Sequence, residues 1–288
     1  MKKPLFTGVC TALVTPFIHG KINYPMLEIL LRRQMEAGIT ACVIAGTTGE
    51  APTLTDGEKL ELFRRSKEIV GGNMKIIAGT GTNSTEHTVN LSREAAQCGV
   101  DGLLVVAPYY NRPTESGLTA HYIAVAHATD LPVVIYNVPS RAAVDIPVTA
   151  YETLARIPNI AGVKEASADI GKITHICSIC GADLPVWTGN DAHIAPAISL
   201  GAKGVISVVS NLFPEETKVL ADAALDGDFD TAAALQIGLT PLIDALFRQP
   251  NPIPVKEAMG LMGYDCGPCR LPLTPLSEEN RRKLQQLL

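Results

Sequence analysis

The chain has 288 residues, a length that suits either two domains or one enlarged α/β barrel, since such barrels commonly run to about 250 residues. With 24 Lys and Arg against 29 Asp and Glu the formal net charge is −5, and no long basic run interrupts it, which argues against nucleic acid or an anionic membrane as a partner. A hydrophobic fraction of 47% can bury a large core, while 24 glycines and 20 prolines fall short of a low-complexity or collagen-like composition.

Along the chain, Lys2 and Lys3 precede an uncharged run over residues 5–18 that imitates a secretory signal. Thr7, Gly8, Thr11, Thr15 and Pro16 interrupt it, no small-x-small cleavage site follows, and Val9, Thr11 and Leu13 alternate as a strand does. The first strand is therefore read at 9–14. Seven more short, mostly apolar runs predict strands at 41–45, 75–79, 102–106, 132–136, 160–164, 185–188 and 204–208. Between them the apolar period is helical, as in Met26, Leu27, Leu30, Leu31 and in Leu60, Phe63, Ile69, Val70. Thr55-Asp-Gly-Glu58 has the capping-box pattern, and Pro214 leads Glu215 and Glu216 into a first turn. The unit spacing resembles a solenoid period, but the units share no recurrent motif. Eight apolar strands alternating with helices predict an α/β fold, a closed (β/α)8 TIM barrel over residues 1–225. Beyond it, helical patterns at 231–247, 255–262 and 280–288 predict a small C-terminal helical domain, residues 226–288, that packs on the barrel or on a neighbouring subunit. No stretch approaches the ~18 apolar residues of a membrane span, so a cytoplasmic protein is expected.

In a barrel of this kind chemistry sits where strands end. Strand two runs into Gly46-Thr-Thr-Gly-Glu50, where glycines on either side of two hydroxyls let backbone N–H groups turn inward on a small carboxylate, with Thr47 and Thr48 adding side-chain bonds. The ending of a phosphate-binding loop is absent there. Gly79-Thr-Gly-Thr-Asn-Ser84 lacks the third glycine of a dinucleotide fingerprint and reads as a strand-to-helix turn. Strand four delivers Tyr109, Tyr110 and Arg112 to the rim. Strand five ends in Tyr136, a candidate proton shuttle or else a rim aromatic; Arg141 follows Pro139, where its planar fork can take a carboxylate unless it is a plain surface arginine. Strand six ends in Lys164, on the inward face with Ile160 and Gly162. At an ordinary pKa roughly one lysine in 2,500 is the free amine at pH 7. Burial disfavours the charge, so a desolvated lysine here is a nucleophile for a carbonyl; a structural ion pair with Glu165 or another carboxylate is the alternative.

Six histidines at 19, 87, 121, 127, 175 and 193 show no metal-ligand spacing. Of seven cysteines, Cys177-Ser-Ile-Cys180 lies inside an apolar helical pattern and Cys266-Gly-Pro-Cys269 lacks the strand-then-helix setting of a redox pair. Both pairs are read as reduced structural thiols rather than as a zinc or redox site.

Six motifs in order, Gly46-Thr-Thr-Gly-Glu50, Tyr109-Tyr-Asn-Arg-Pro113, Tyr136-Asn-Val-Pro-Ser-Arg141, Gly162-Val-Lys164-Glu165, Gly189-Asn-Asp191 and Asn251-Pro-Ile-Pro-Val-Lys256, run through nearly the whole chain. Together they identify it as similar to the dihydrodipicolinate synthase (4-hydroxy-tetrahydrodipicolinate synthase) family of the pyruvate-dependent class I aldolase superfamily. The resemblance implies a lyase in which Lys164 forms a Schiff base with pyruvate. The imine loses a methyl proton, and the enamine attacks the aldehyde of L-aspartate 4-semialdehyde to give 4-hydroxy-tetrahydrodipicolinate, the first committed step of diaminopimelate and lysine biosynthesis. It further implies Tyr136 as proton shuttle, linked through Thr47 to Tyr110 of a neighbouring subunit. Thr48 and adjacent backbone would hold the pyruvate carboxylate and Arg141 that of the semialdehyde, while Gly189 and Ile206 would supply backbone carbonyls. No cofactor or catalytic metal is implied, and the assembly would be a homotetramer, a dimer of dimers.

Rival readings are another aldolase of the superfamily, such as N-acetylneuraminate lyase or a 2-keto-3-deoxy sugar acid aldolase, and a non-catalytic keto-acid sensor. Arg141 and the paired threonines favour the synthase, and a sensor has no need of the complete set. One departure stands out. In feedback-inhibited relatives lysine binds at the tight-dimer interface beside an asparagine, a tyrosine, histidines and a glutamate. Asn83 and Tyr109 match, but His87 replaces the glutamate, and Asp56 and Lys59 stand where histidines would be. Weak or absent inhibition by lysine is expected.

Overall fold

The computed structural model describes residues 2–288. Its barrel strands are β1 (Gly8–Ala12), β2 (Ala41–Ile44), β3 (Lys75–Gly79), β4 (Gly102–Val106), β5 (Val133–Asn137), β6 (Ile160–Glu165), β7 (Val186–Thr188) and β8 (Gly204–Ser207). All pair in parallel with their neighbours in sequence, and β8 returns to β1 through Gly8↔Gly204 and Cys10↔Ile206, closing the (β/α)8 barrel that the strand pattern predicts.

Strand ends move by a residue or two from the predicted ones for identifiable reasons. Pro132 and Pro185 lack an N–H and stand just outside β5 and β7, yet their carbonyls accept from Leu103 and Val163 at 2.8 and 2.9 Å. Leu13 and Val14 leave β1 because the N–H of Val14 turns to the Asn211 side chain, and Val208 leaves β8 because its N–H turns to Asp191.

Outside the strands lie α1 (Tyr24–Glu36), α2 (Asp56–Val70), α3 (Thr85–Gln97), α4 (Glu115–Ala126), α5 (Val148–Leu154), α6 (Ile170–Cys180), α7 (Ile194–Ser199) and α8 (Pro214–Leu225). The Thr55–Glu58 capping box is formed in both directions, and Ser84, Thr114 and Asp169 cap α3, α4 and α6 with their side chains.

Alternation along each strand divides the core in two. Outward residues join the helices in one continuous apolar layer, and inward ones, including Cys10, Val43, Ile77, Tyr136 and Ile206, fill the lumen. Phe6 precedes β1 and stacks on Trp187 at 4.7 Å, filling the N-terminal end of the lumen. Three further helices follow, α9 (Phe229–Leu246), α10 (Ile253–Leu261) and α11 (Glu278–Gln285). The α9 helix lies along α8, and Leu242, Leu246, Val255 and Met259 belong to the same apolar layer as the barrel helices. No described helix is long and apolar enough to cross a membrane.

Candidate active site

Tyr136 and Lys164 sit opposite each other in the β5–β6 register, near the C-terminal ends of their strands. Their side chains turn into the barrel while those of the next residues, Asn137 and Glu165, turn out. Lys164 is buried, and its Nζ lies 4.3 Å from the centroid of the Tyr136 ring. The structural ion pair with Glu165 is not formed: that carboxylate accepts from Asn137 and Ser167. Among the described residues Lys164 has no salt-bridge partner; the carboxylate that senses its charge is Asp191, fully buried at the end of the loop after β7. Burial raises the Asp191 pKa above the usual carboxylate range, against hydrogen bonds that favour the ion. Its Oδ2 accepts from the N–H groups of Val208 and Val209, both at 2.9 Å.

A cavity of about 590 Å³ reaches down to Tyr136, with Lys164 behind that ring and outside the lining. Thr47, Tyr136 and Arg141 line it, together with Gly79 and Gly81 from the turn after β3. Arg141 lies in a single helical turn, Pro139–Ala142, that begins immediately past β5. Thr48 is buried, its hydroxyl accepting from Asn251 Nδ2 at 2.9 Å. Gly189 stands against Lys164, and Ile206 is buried in the lumen. Lys164, Thr48, Gly189 and Ile206 lie outside the lining, and Tyr110 is set apart on the surface: it is 88% exposed, holds φ at +74°, and leaves the lining of the cavity to Tyr109.

Toward its outer end the cavity meets Asp56, Lys59, Asn83, His87 and Tyr109. Here Asp56 is engaged twice, by His87 Nε2 at 2.7 Å and by Lys59 Nζ at 3.3 Å. Partial burial pushes its pKa up, but these two bases outweigh that and hold the carboxyl below its usual range.

Asn251, Glu50 and Lys256 stand inside two of the six motifs, yet the sequence alone assigns them no role. Besides holding Thr48, Asn251 accepts from Arg141 through its carbonyl at 3.1 Å. Glu50, buried at the end of the Gly46 loop, pairs with Lys256 of α10 at 2.9 Å. Partners some 200 positions apart leave no local signal. Burial pushes the Cys180 thiol up to about 11 and those of Cys266 and Cys269 to about 12, which suits packing residues better than thiolate chemistry.

The family model for the dihydrodipicolinate synthetase family matches residues 5–288. A 4-hydroxy-tetrahydrodipicolinate synthase from Thermoanaerobacter sp. (strain X514) is 43% identical over 286 residues, 99% of this chain and 96% of that protein. Among solved structures, dihydrodipicolinate synthase from Aquifex aeolicus superposes with a TM-score of 0.96 at 42% identity, covering 98% of this chain and 97% of that one. The synthase from Cyanidioschyzon merolae, solved with lysine bound, also gives 0.96, at 39% identity over 99% of this chain and 98% of that one. With the fold, the strand-end lysine and tyrosine and the full-length match in agreement, this chain belongs to the dihydrodipicolinate synthetase family.

Proposed function

We infer that the chain is a lyase that condenses pyruvate with L-aspartate 4-semialdehyde to form 4-hydroxy-tetrahydrodipicolinate, at the head of the diaminopimelate route to lysine. The observation that carries the chemistry is a buried lysine with no ion-pair partner among the described residues, 4.3 Å from the ring of a buried tyrosine that lines an open cavity. The free amine of Lys164 adds to the keto carbon of pyruvate and water leaves, giving an imine. Loss of a methyl proton converts it to an enamine, whose carbon bonds to the aldehyde carbon of the second substrate, and the aldehyde oxygen takes up a proton. The amino group brought by the semialdehyde then displaces Lys164 and closes the ring.

In this reading Tyr136 carries the protons, relayed by Thr47 toward Tyr110 of a neighbouring subunit. The 88% exposure of Tyr110 within one chain supports that assignment. Thr48 and its loop hold the pyruvate carboxylate, Arg141 holds that of the semialdehyde, and the backbone at Gly189 and Ile206 completes the walls. The imine does the work of a cofactor, so neither an organic cofactor nor a metal enters the scheme. A cytoplasmic homotetramer, a dimer of tight dimers in which Tyr110 of one subunit reaches the site of its neighbour, is the proposed form, with no nucleic-acid or membrane partner.

Two measurements test this. Borohydride reduction in the presence of pyruvate should add one reduced pyruvate to Lys164 by mass spectrometry, and Lys164→Ala should abolish the adduct. Incubation with pyruvate and aspartate 4-semialdehyde, coupled to the reductase that consumes the product, should give turnover. An adduct without turnover would point to another aldolase of the superfamily, and no adduct would sink the imine.

A further inference from the structure

Directly outside the Tyr136–Lys164 pair, at the next residue of each strand, lies a second pair that the reaction does not consume. Asn137 and Glu165 are buried, in register, and joined by Asn137 Nδ2 donating to both carboxylate oxygens at 3.0 Å. The bracket extends in three directions. Ser167 N–H donates to Glu165 Oε1 at 2.8 Å and holds the chain just past β6. Ile146 N–H donates to Asn137 Oδ1 at 3.1 Å, and Asn137 Nδ2 donates to Asp145 at 2.8 Å, which ties down the far end of the loop carrying Arg141. From the helices, Lys172 of α6 pairs with Asp145 and lies 4.0 Å from Glu165, and the Tyr151 hydroxyl of α5 is 3.5 Å away.

A buried carboxylate is a poor way to gain stability, because apolar side chains of similar volume usually do as well. What it supplies is direction: bonds of fixed length between two strand ends allow one spacing, where apolar contact would let the ends slide. Since alternation is rigid along a strand, fixing Asn137 against Glu165 fixes Tyr136 against Lys164. Attack on a carbonyl depends steeply on such spacing, and an error of about 1 Å can cost about 100-fold in rate.

We propose that Glu165, acting through Asn137, is a positioning residue for imine formation: the outward pair sets the distance and facing of the inward pair. This rests on the imine reading of Lys164. The test is the rate of borohydride trapping of pyruvate across a pyruvate series, on full-length protein shown to be folded by circular dichroism. Glu165→Gln places an amide nitrogen or a weaker acceptor against the Asn137 amide, and Asn137→Ala removes the donor. Each is expected to lower the saturating trapping rate about tenfold or more. Half-saturating pyruvate should move by less than about threefold, because the Thr47–Thr48 loop is untouched. The double variant should be no slower than the slower single one, as expected of two residues acting through one bond. Folded variants trapping at the wild-type rate overturn the proposal, and so do losses that multiply in the double variant. If Glu165→Gln does not fold, the rate against half-saturation split in Asn137→Ala decides alone. A wild-type protein that traps no pyruvate overturns the imine reading instead.

Discussion

A hydrogen where other residues carry a methyl determines whether Lys164 has room. A Cβ at position 189 would stand 2.6 Å from Lys164 Cε, and one at position 79 would stand 2.2 Å from the carbonyl oxygen of Ala45, where the β2 and β3 loops meet under the cavity. The Gly79 turn, which looks like an incomplete nucleotide motif, is therefore a close approach of two backbones. At the same scale, His121 is buried in α4 with its Nδ1 on Thr85 and its Nε2 without a partner, and burial pushes its pKa down to about 4. In the unfolded chain the imidazole titrates near 6.5, so between these values the unfolded state binds the extra proton. Stability should fall as pH drops from about 6.5 to about 4, by about 3 kcal/mol at most, and recover none of it below. Urea denaturation of wild type and His121→Phe at pH 7.5 and pH 4 checks this: the wild type should lose more, and equal losses would refute it.

Among the elements, the Gly46–Glu50 loop and the start of α10 behave as one body. Lys256 Nζ donates to Glu50, to the Thr15 carbonyl at 3.1 Å and to the Pro268 carbonyl at 3.3 Å, while the N–H of Arg270 donates to the second Glu50 oxygen at 2.8 Å. Lys256→Met leaves a buried carboxylate without its cation, and a loss of about 3–5 kcal/mol is expected on chemical denaturation. Adding Glu50→Gln should restore a large part of it; no recovery would mean that the lysine matters through its carbonyl contacts instead. The strands and the strand-end residues were legible in the sequence because each is signalled within a few positions: an apolar run, then a polar residue where the run stops. Such local signals place Lys164 and Tyr136 at strand ends and Arg141 in the turn just beyond one. Asn251, Lys256 and the Asn137–Glu165 bracket carry no such signal, since their meaning lies in contacts between elements. Proline and side-chain competition for N–H groups account for the shifted strand ends.

For the molecule as a whole, a net charge of −5 offers nothing to the carboxylates of two substrates, so in the proposed reaction any attraction is local, and Arg141 and the threonine loop are where that proposal puts it. The residues matched to the lysine site of feedback-inhibited relatives lie at the outer end of the same cavity, and there Asp56, the one carboxylate among its described lining residues, is already occupied by His87 and Lys59. An arriving lysine would bring positive charge against two bases rather than against a free acid. Steady-state rates should therefore be unchanged by low micromolar lysine, and half-inhibition in that range would contradict the expectation.

The bonds from Asn251 to Thr48 and Arg141, and from Lys256 to Glu50, also bear on how such a protein can vary. Residues 46–50 and 251–270 are distant in the gene but adjacent in space, so a recombinant that takes its barrel from one parent and its tail from another exchanges one side of every bond in that joint. A recombinant joined between the two segments should therefore be less stable than one that keeps both from the same parent, and equal stability on chemical denaturation would show that the joint tolerates exchange.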